Sequence, residues 1–360
     1  MAVSQIDNNG VNLGQLGNRN LTINGAMRIA QRGTSETGVT GTGYHSVDRF
    51  STDLTTLGTW TVSQSTDAPD GFAYSLLHDC TTADASPASG DTFRLSYRFE
   101  GQDLQQLQKG TSSAKSCTLS FWIKSNKTGT GQFNIRDIDN NRGINKTYTI
   151  DAANTWEKKT ILIEGDTTGT ISNDNGSSFW LLWVFNSGTG NSSGTFNSDW
   201  HAWDWTDINA AGTLDIGAST ADYVNITGVQ LEVGDTATPF EHRLYGDELA
   251  RCQRYYQKEI ATGASYYRFA SGQAISTTVG ESLFNFDPDM RAAPTLDQGG
   301  NINWQQGGSG TSGVSYAAGN ITPFGARFQV TVGSGLTAGY GGFAYANNDQ
   351  DAYIAWDAEL

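Results

Sequence analysis

Apolar and polar side chains alternate with a period of two along much of the chain. Successive side chains of a strand point to opposite faces of a sheet, so each alternating segment is predicted to be a strand with one buried face. Four segments show the pattern clearly: 93–99, 119–124, 156–163 and 223–233. The segment SFWLLWVF at 178–185 is apolar on both faces and is predicted to be a central strand, covered on both sides.

Turn-forming clusters rich in Asn, Asp, Gly and Ser separate these segments, for example at 139–143, 173–178 and 186–194. No helical pattern intervenes, whereas parallel strands need long crossover connections, which are usually helical. The predicted fold class is therefore all-β, and the main body is predicted to be an antiparallel β-sandwich of the jelly-roll type.

One stretch, 246–259, has the spacing of a helix instead. Asp247 is a candidate N-cap. Three residues at intervals of three and four form its apolar face: Leu249, Cys252 and Tyr256. We predict a short amphipathic helix at a domain junction. Beyond it, alternating runs predict a smaller C-terminal β domain at 260–360, ending in a strand at 353–360 that closes its sheet.

The first 25 residues show no sustained period and could not bury a face by themselves. They are predicted to be an arm that packs on another structure, through four aliphatic residues: Leu13, Leu16, Leu21 and Ile23. The predicted organisation is an attachment arm at 1–25, a jelly roll at 26–245, the junction helix at 246–259 and the C-terminal β domain at 260–360.

Charge and hydropathy exclude several classes of partner. The chain has 22 Lys and Arg against 37 Asp and Glu, a net charge of −15, so it should repel phosphate and is not expected to bind nucleic acid. The longest apolar run, 179–185, falls far short of the ~20 residues that span a bilayer, so no membrane insertion is expected. The opening residues lack the features of a signal peptide, which predicts synthesis in a cytoplasm.

Metal and redox chemistry also find little support. Three widely spaced cysteines are predicted to be buried free thiols: Cys80, Cys117 and Cys252. The four histidines lack the spacing of a zinc site. Asp137, Asp139 and Asn141 resemble the start of a calcium loop, but Arg142 stands where such a loop needs glycine, so a hairpin turn is favoured and no cofactor is predicted.

The densest aromatic cluster is SDWHAWDW at 198–205. Exposed indoles can stack on sugar rings, which makes four residues candidate glycan contacts: Trp200, Trp203, Asp204 and Trp205. The alternative, that these indoles fill the sandwich core, is the more common role of large aromatics in β proteins. No nucleophile elbow or phosphate-binding loop is present, and we expect no enzymatic activity.

Three segments resemble a widespread type of phage virion protein, the tail-fibre type: NRNLTINGAMRIAQRGTS at 18–35 with VDRF at 47–50, NTWEKKTILIEGDTTGT at 154–170, and ITGVQLEVGDTATPFEHRLYGDELARCQRYYQK at 226–258. The resemblance implies a carbohydrate-binding-module-like jelly roll in a virion appendage, usually a homotrimer. Five residues of the third segment are expected to shape the bend between strand and helix by hydrogen bonding: Glu232, Pro239, Glu241, His242 and Arg243.

The function expected from this resemblance is that of a structural and adhesive subunit of a bacteriophage particle, located in the virion. The arm would bind other virion proteins, a host surface polysaccharide is a candidate ligand, and the arm and helix would lie near the threefold axis of the trimer. Two alternatives stay open: a capsid decoration or collar protein without host contact, and a virion-associated glycan hydrolase, whose paired carboxylates would be set by space and not by sequence.

Overall fold

The structure is a computed structural model that describes residues 18–261, 263 and 266–360. The chain divides into two compact units, with the boundary between Tyr245 and Gly246. The described residues are arranged mainly in antiparallel sheets, which confirms the all-β prediction. No helix in these ranges is both long enough and apolar enough to cross a membrane.

The strands of the first unit are β1 (Ser35–Gly43), β2 (Phe50–Ser65), β3 (Ser75–Thr82), β4 (Thr92–Glu100), β5 (Cys117–Ser125), β6 (Gly129–Asp137), β7 (Arg142–Ile150), β8 (Glu157–Ile163), β9 (Ser177–Ser187), β10 (His201–Ala202) and β11 (Tyr223–Val233). All pairings are antiparallel, in the order β10-β7-β6-β9-β4-β2-β3-β11-β5-β8, and β1 pairs with β2. The segments at 119–124 and 223–233 are strands as predicted, and β9 lies between β6 and β4 with nine consecutive buried residues.

This sheet folds over on itself to form a sandwich. Phe121 of β5 contacts Trp183 of β9 at 5.7 Å between ring centroids and Tyr148 of β7 at 5.4 Å, although β5 pairs with neither strand. The inward faces of β4, β6 and β9 therefore meet those of β5 and β11 in one apolar core. The opposite faces of β4, β6 and β9 point away from this core.

Residues 18–25 are part of this first unit, which corrects the predicted arm boundary at residue 25. The backbone N–H of Leu21 donates to Leu231 O at 2.8 Å, and that of Ile23 donates to the Tyr97 hydroxyl at 2.9 Å. Ile23 is buried there, so it is not free to contact a partner as predicted, whereas Leu21 is half-buried. Leu13 and Leu16 lie outside the described residues.

Of the residues expected to shape the bend after β11, Glu232 accepts bonds from Thr238 within it, whereas Glu241 and Arg243 hold the N-terminal segment. The Glu241 carboxylate accepts the backbone N–H groups of Asn18 at 2.6 Å and Asn20 at 2.7 Å. The Arg243 guanidinium donates to the carbonyls of Asn20 and Thr22. Residues more than 200 positions apart in the chain are thereby joined. We call this set of contacts the terminal clamp.

The second unit contains most of α1 (Tyr245–Gln253), then β12 (Tyr256–Ile260), β13 (Arg268–Ala274), β14 (Val279–Asn285), β15 (Thr295–Gly299), β16 (Ile302–Gln306), β17 (Ser309–Thr322), β18 (Gly325–Val332), β19 (Gly341–Ala346) and β20 (Tyr353–Asp357). Six strands form a closed barrel in the order β13-β14-β18-β17-β16-β19, and the other three form a sheet in the order β12-β20-β15.

Two boundaries predicted for this part of the chain are wrong. The helix ends at Gln253 instead of 259, and Tyr256 begins β12, where it pairs with Asp357. The last strand ends at Asp357 instead of 360 and lies in the middle of its sheet, so it does not close it. Cys252 and Tyr256 are buried within the single chain and so are not available for the predicted contact near the threefold axis, whereas Leu249 is half-buried.

Candidate functional site

The outer face of β4, β6 and β9 carries a group of arginines around a tryptophan. Along β4, the side chains of Phe93, Leu95 and Tyr97 enter the core, so Arg94 and Arg98 emerge on the other face. Strand register places Arg136 of β6 opposite Trp180 of β9, and Trp180 opposite Arg98. Side chains from three adjacent strands therefore lie side by side.

The loop after β10 places two more indoles on this face. Trp203 is buried, whereas Trp205 is 38% exposed. The Trp205 ring meets Trp180 at 5.8 Å and Trp203 at 5.1 Å between centroids, in both cases edge to face. The close approach of Trp203 needs a glycine beneath it, because a Cβ at Gly143 would lie 2.3 Å from the Trp203 ring.

The arginines lie over these rings. Arg98 is 4.3 Å from the centroid of Trp180, Arg136 is 5.0 Å from that of Trp205, and Arg94 is 5.3 Å from Trp205. Guanidinium groups at these distances are attracted to the negative faces of the rings. We call these six side chains the aromatic–arginine face: Arg94, Arg98, Arg136, Trp180, Trp203 and Trp205.

Buried amides of β6 hold the loop in place. Gln132 Nε2 donates to Asp207 O at 2.7 Å, and Asn134 Nδ2 donates to Ile208 O at 2.8 Å. Within the loop, the Asp204 carboxylate accepts the backbone N–H and the hydroxyl of Thr206, each at 2.9 Å, and these bonds lower the pKa of Asp204. These hydrogen bonds fix the conformation of the loop that carries Trp205, so the loop loses little conformational entropy when a ligand binds.

The charge of this face is only partly balanced. Arg94 lies 3.8 Å from Asp53, and burial raises the pKa of that carboxyl. Burial, followed by repulsion from Arg98, lowers the pKa of Arg136. Within the described ranges, neither Arg98 nor Arg136 has a carboxylate at ion-pair distance. The face is thus cationic on a chain whose net charge is −15.

The predicted glycan contacts do not all come together. Trp203, Asp204 and Trp205 are on one loop at the aromatic–arginine face, but Trp203 is largely covered. Trp200 packs against Phe179, and its Nε1 donates to Glu164 O at 2.7 Å, so it belongs to a different cluster. Trp200 packs against the sandwich core, Trp203 is buried in a separate small cluster on the outer face, and Trp205 is the exposed one.

Sequence reasoning missed the arginines and Trp180. A signal was present, since Arg94 and Arg98 are four positions apart in an alternating strand and so share its outer face. Nothing local linked them to Arg136 or Trp180, because that neighbourhood is created by strand pairing.

The turn that resembles a calcium loop is a hairpin between β6 and β7, as favoured from the sequence. The Asp137 carboxylate accepts a bond from the Lys109 ammonium at 2.6 Å, while Asp139 accepts the Ser172 backbone N–H at 3.0 Å. These carboxylates thus serve different partners. No group of three or more His, Cys, Asp or Glu side chains is placed to hold a metal ion anywhere in the described part of the chain.

The three cysteines are buried free thiols, as predicted. Burial raises the pKa of Cys80 to about 11 and that of Cys117 to about 12. The reactive thiolate form is therefore suppressed at neutral pH, and neither of these two thiols is suited to nucleophilic chemistry.

Comparison with known proteins gives similarity to solved structures alone. No family model matches the chain, and no curated protein matches it. The bacteriophage CBA120 tailspike protein 4 enzymatically active domain is 13% identical, with a TM-score of 0.32, and the match covers 60% of this chain but only 21% of that chain.

Two further matches cover most of the other protein. A putative sugar binding protein from Bacteroides thetaiotaomicron is 11% identical over 59% of this chain and 99% of that one, with a TM-score of 0.32. The family 11 carbohydrate-binding module of a cellulosomal cellulase from Clostridium thermocellum is 11% identical over 56% of this chain and 99% of that one, with a TM-score of 0.27. Similarities this distant carry no argument about what this chain binds.

Proposed function

We propose that this protein is a structural and adhesive subunit of a bacteriophage particle, of the tail-fibre type, and that its first unit binds a surface glycan without cleaving it. The observation that carries the glycan proposal is the exposed Trp205 ring, flanked by guanidinium groups and supported edge-on by two other indoles.

Sugars offer two kinds of surface to such a site. The C–H groups on one face of a pyranose ring pack on an indole, and the hydroxyl groups around its rim accept hydrogen bonds from guanidinium donors. Trp205 supplies the indole, and Arg94 and Arg136, whose guanidinium groups lie over its ring, supply donors. The surrounding rings fix the orientation of Trp205, so the stacking platform exists before the ligand arrives.

The virion part of the proposal rests on sequence resemblance. Two of the resembling segments, at 18–35 and 226–258, are joined by the terminal clamp, so they make one structural feature and not two separate matches. Such a protein would be made in the host cytoplasm and incorporated into the particle through contacts of its N-terminal residues.

Assembly as a homotrimer is also part of the proposal. Seven large apolar side chains of the second unit are exposed in the described ranges, among them Leu283 at 66%, Val314 at 71% and Phe324 at 65%. Covering such residues favours association of copies. Analytical ultracentrifugation should give the mass of three chains, and a stable monomer at micromolar concentration would contradict this.

The test of glycan binding uses the full chain and purified surface polysaccharides in affinity electrophoresis. Trp205→Ala should abolish retardation, whereas Leu162→Ala, which removes an exposed apolar side chain from β8 of the same unit, should leave it intact. Polysaccharide recovered after prolonged incubation should keep its original length. Shortened chains would favour the hydrolase alternative, and equal retardation of both variants would remove Trp205 from the site.

A further inference from the structure

The aromatic–arginine face carries more positive charge than a neutral sugar requires. Recognition of hydroxyl groups needs hydrogen-bond donors, which neutral amides supply at a lower desolvation cost than guanidinium groups. Here Arg94 and Arg136 each lie within 6.0 Å of both Trp180 and Trp205, and Arg98 lies 4.3 Å from Trp180. A neutral sugar therefore does not account for the positive charge of this face.

The three guanidinium groups are partly removed from water. All three residues are half-buried, and the Arg94 side chain is only 12% exposed. Burial lowers the pKa of both Arg94 and Arg136, with a further contribution from repulsion by Arg98 in each case. Cations that repel one another in a partly desolvated place cost stability unless anions balance them.

The protein supplies little of that balance itself. Asp53, 3.8 Å from Arg94, is the one carboxylate at ion-pair distance from any of the three guanidinium groups in the described ranges. Unpartnered donors outnumber unpartnered acceptors as well: Asp53 Oδ2 is one such acceptor, against four donors, Nε of Arg94, Nε of Arg136 and the indole nitrogens of Trp180 and Trp203. The face is short of both negative charge and acceptor atoms.

Two other cations of the same unit, Lys109 and Arg142, have close carboxylate partners. The Lys109 ammonium, 2% exposed, meets Asp137 at 2.6 Å and Asp166 at 3.1 Å. Arg142 makes a two-point contact with Asp166, at 2.7 and 3.2 Å. Arg98 and Arg136 differ from these two residues in having no carboxylate at ion-pair distance, on a chain with an excess of 15 acidic groups.

We propose that the glycan bound here is acidic, and that an anionic substituent of a sugar ring, a carboxylate, sulfate or phosphate, binds Arg98 and Arg136 while the ring stacks on Trp205. This proposal rests on the glycan-binding function proposed above and adds the charge of the ligand. Planar guanidinium groups suit each of these anions, because they donate two parallel hydrogen bonds.

The test compares charged polysaccharides with their neutral counterparts. The full chain is titrated with polygalacturonate and with its fully methyl-esterified form, and separately with dextran sulfate and dextran. We expect binding to at least one charged polymer and not to its neutral counterpart, weakening as salt is raised. The carboxylated and sulfated arms distinguish the two sources of anion, and phosphorylated dextran provides the third.

Two variants each remove one charge from the site, and a third variant, outside the site, is a matched control. Arg98→Gln and Arg136→Gln should each weaken binding at least about tenfold. Arg268→Gln removes an exposed arginine that lies 4.1 Å over the Phe343 ring in the second unit, and it should bind as the wild type does. Arg98→Lys keeps the charge but cannot donate two parallel hydrogen bonds, so its affinity should lie between those of the wild type and Arg98→Gln.

Thermal unfolding separates a binding role from a structural one. Because these charges are unbalanced in the free protein, Arg136→Gln should leave the melting temperature unchanged or raise it while it weakens binding. A variant that loses both stability and binding would indicate a structural role and overturn the proposal.

Three other outcomes are decisive. Equal binding of neutral and charged polymers, lost in Trp205→Ala but kept in the arginine variants, would overturn the acidic ligand and leave glycan binding in place. Poly-glutamate is an anionic polymer without sugar rings. If it binds as tightly as the charged polysaccharides, the face attracts anions in general, and the acidic-glycan proposal is overturned. Absence of binding to every polysaccharide tested, charged or neutral, would remove the glycan-binding proposal as well.

Discussion

Replacing Lys109 by methionine should destabilise the first unit strongly. The ammonium is enclosed by four oxygen atoms: Asp137 Oδ2 at 2.6 Å, Asp166 Oδ2 at 3.1 Å, Thr168 O at 2.8 Å and Gly169 O at 2.9 Å. Methionine has a similar length and fills the space without a charge. The change therefore removes the interactions and leaves most of the packing in place.

The expected loss of stability comes from the two carboxylates that stay buried without the Lys109 ammonium. Although burial acts in the opposite direction, bonds from Arg142 and Thr168 lower the pKa of Asp166, which keeps a cationic partner in the variant. Asp137 is fully buried and would keep only its bonds from Asn140. Breaking a buried ion pair on one side costs roughly 3–5 kcal/mol. For a unit of this size that lowers the melting temperature by about 6–20 °C.

Urea unfolding followed by tryptophan fluorescence measures this change, and Trp200 is a local reporter because its ring centroid lies 5.3 Å from the Lys109 nitrogen. Lys124→Met is the control: its partner Asp67 is half exposed, so a loss below about 1 kcal/mol is expected. Adding Asp137→Asn to Lys109→Met should recover part of the loss, since it neutralises the abandoned carboxylate. A loss below about 1 kcal/mol in Lys109→Met would refute this reasoning.

Three further predictions concern titration, thiol chemistry and the terminal clamp. Burial, with a smaller contribution from His45, lowers the pKa of His78 to about 3, so the unfolded chain binds a proton there first as the pH falls below about 6.5. Stability should therefore decline by up to about 1.4 kcal/mol per pH unit between these values and less steeply in His78→Gln, and parallel profiles for the two proteins would contradict this. Cys117 should resist a thiol reagent at mildly alkaline pH until the protein unfolds, and rapid labelling of the native protein would show that its burial is not maintained. Glu241→Gln should lower the free energy of unfolding in urea by about 1–3 kcal/mol, because the carboxylate accepts two backbone N–H groups. The control is Glu164→Gln, at an exposed ion pair, which should lower it by less than about 1 kcal/mol. Equal losses in the two variants would contradict a stabilising role of the terminal clamp.

The pattern of apolar residues predicted five of the eleven strands of the first unit. The segment at 223–233 is a strand over its whole length, and the doubly apolar run at 178–185 is the central part of β9. Such predictions succeed because a strand inside a folded unit shows the burial of its two faces directly in its sequence. The turn at 139–143 was identified for a similar reason, since Asn, Asp and Gly tolerate tight turns.

Partners distant in sequence decided what the local pattern could not. The spacing of Cys252 and Tyr256 fits a helix, but Tyr256 pairs with Asp357, about 100 positions later, and this pairing ends the helix at Gln253. Residues 18–25 have no periodicity of their own and are held by Glu241 and Arg243. In both places the free energy of a tertiary contact exceeds the weak local preference.

The candidate site shows the same division. The sequence by itself determined that Trp203, Asp204 and Trp205 lie together, because they are neighbours in the chain, and that Arg94 and Arg98 share a face, because a strand alternates. Only the tertiary structure placed Arg136 beside Trp180 and Trp180 beside Arg98. Strand register makes this choice, since a shift of one residue would turn each of these side chains into the core, and register depends on the burial of the whole sandwich.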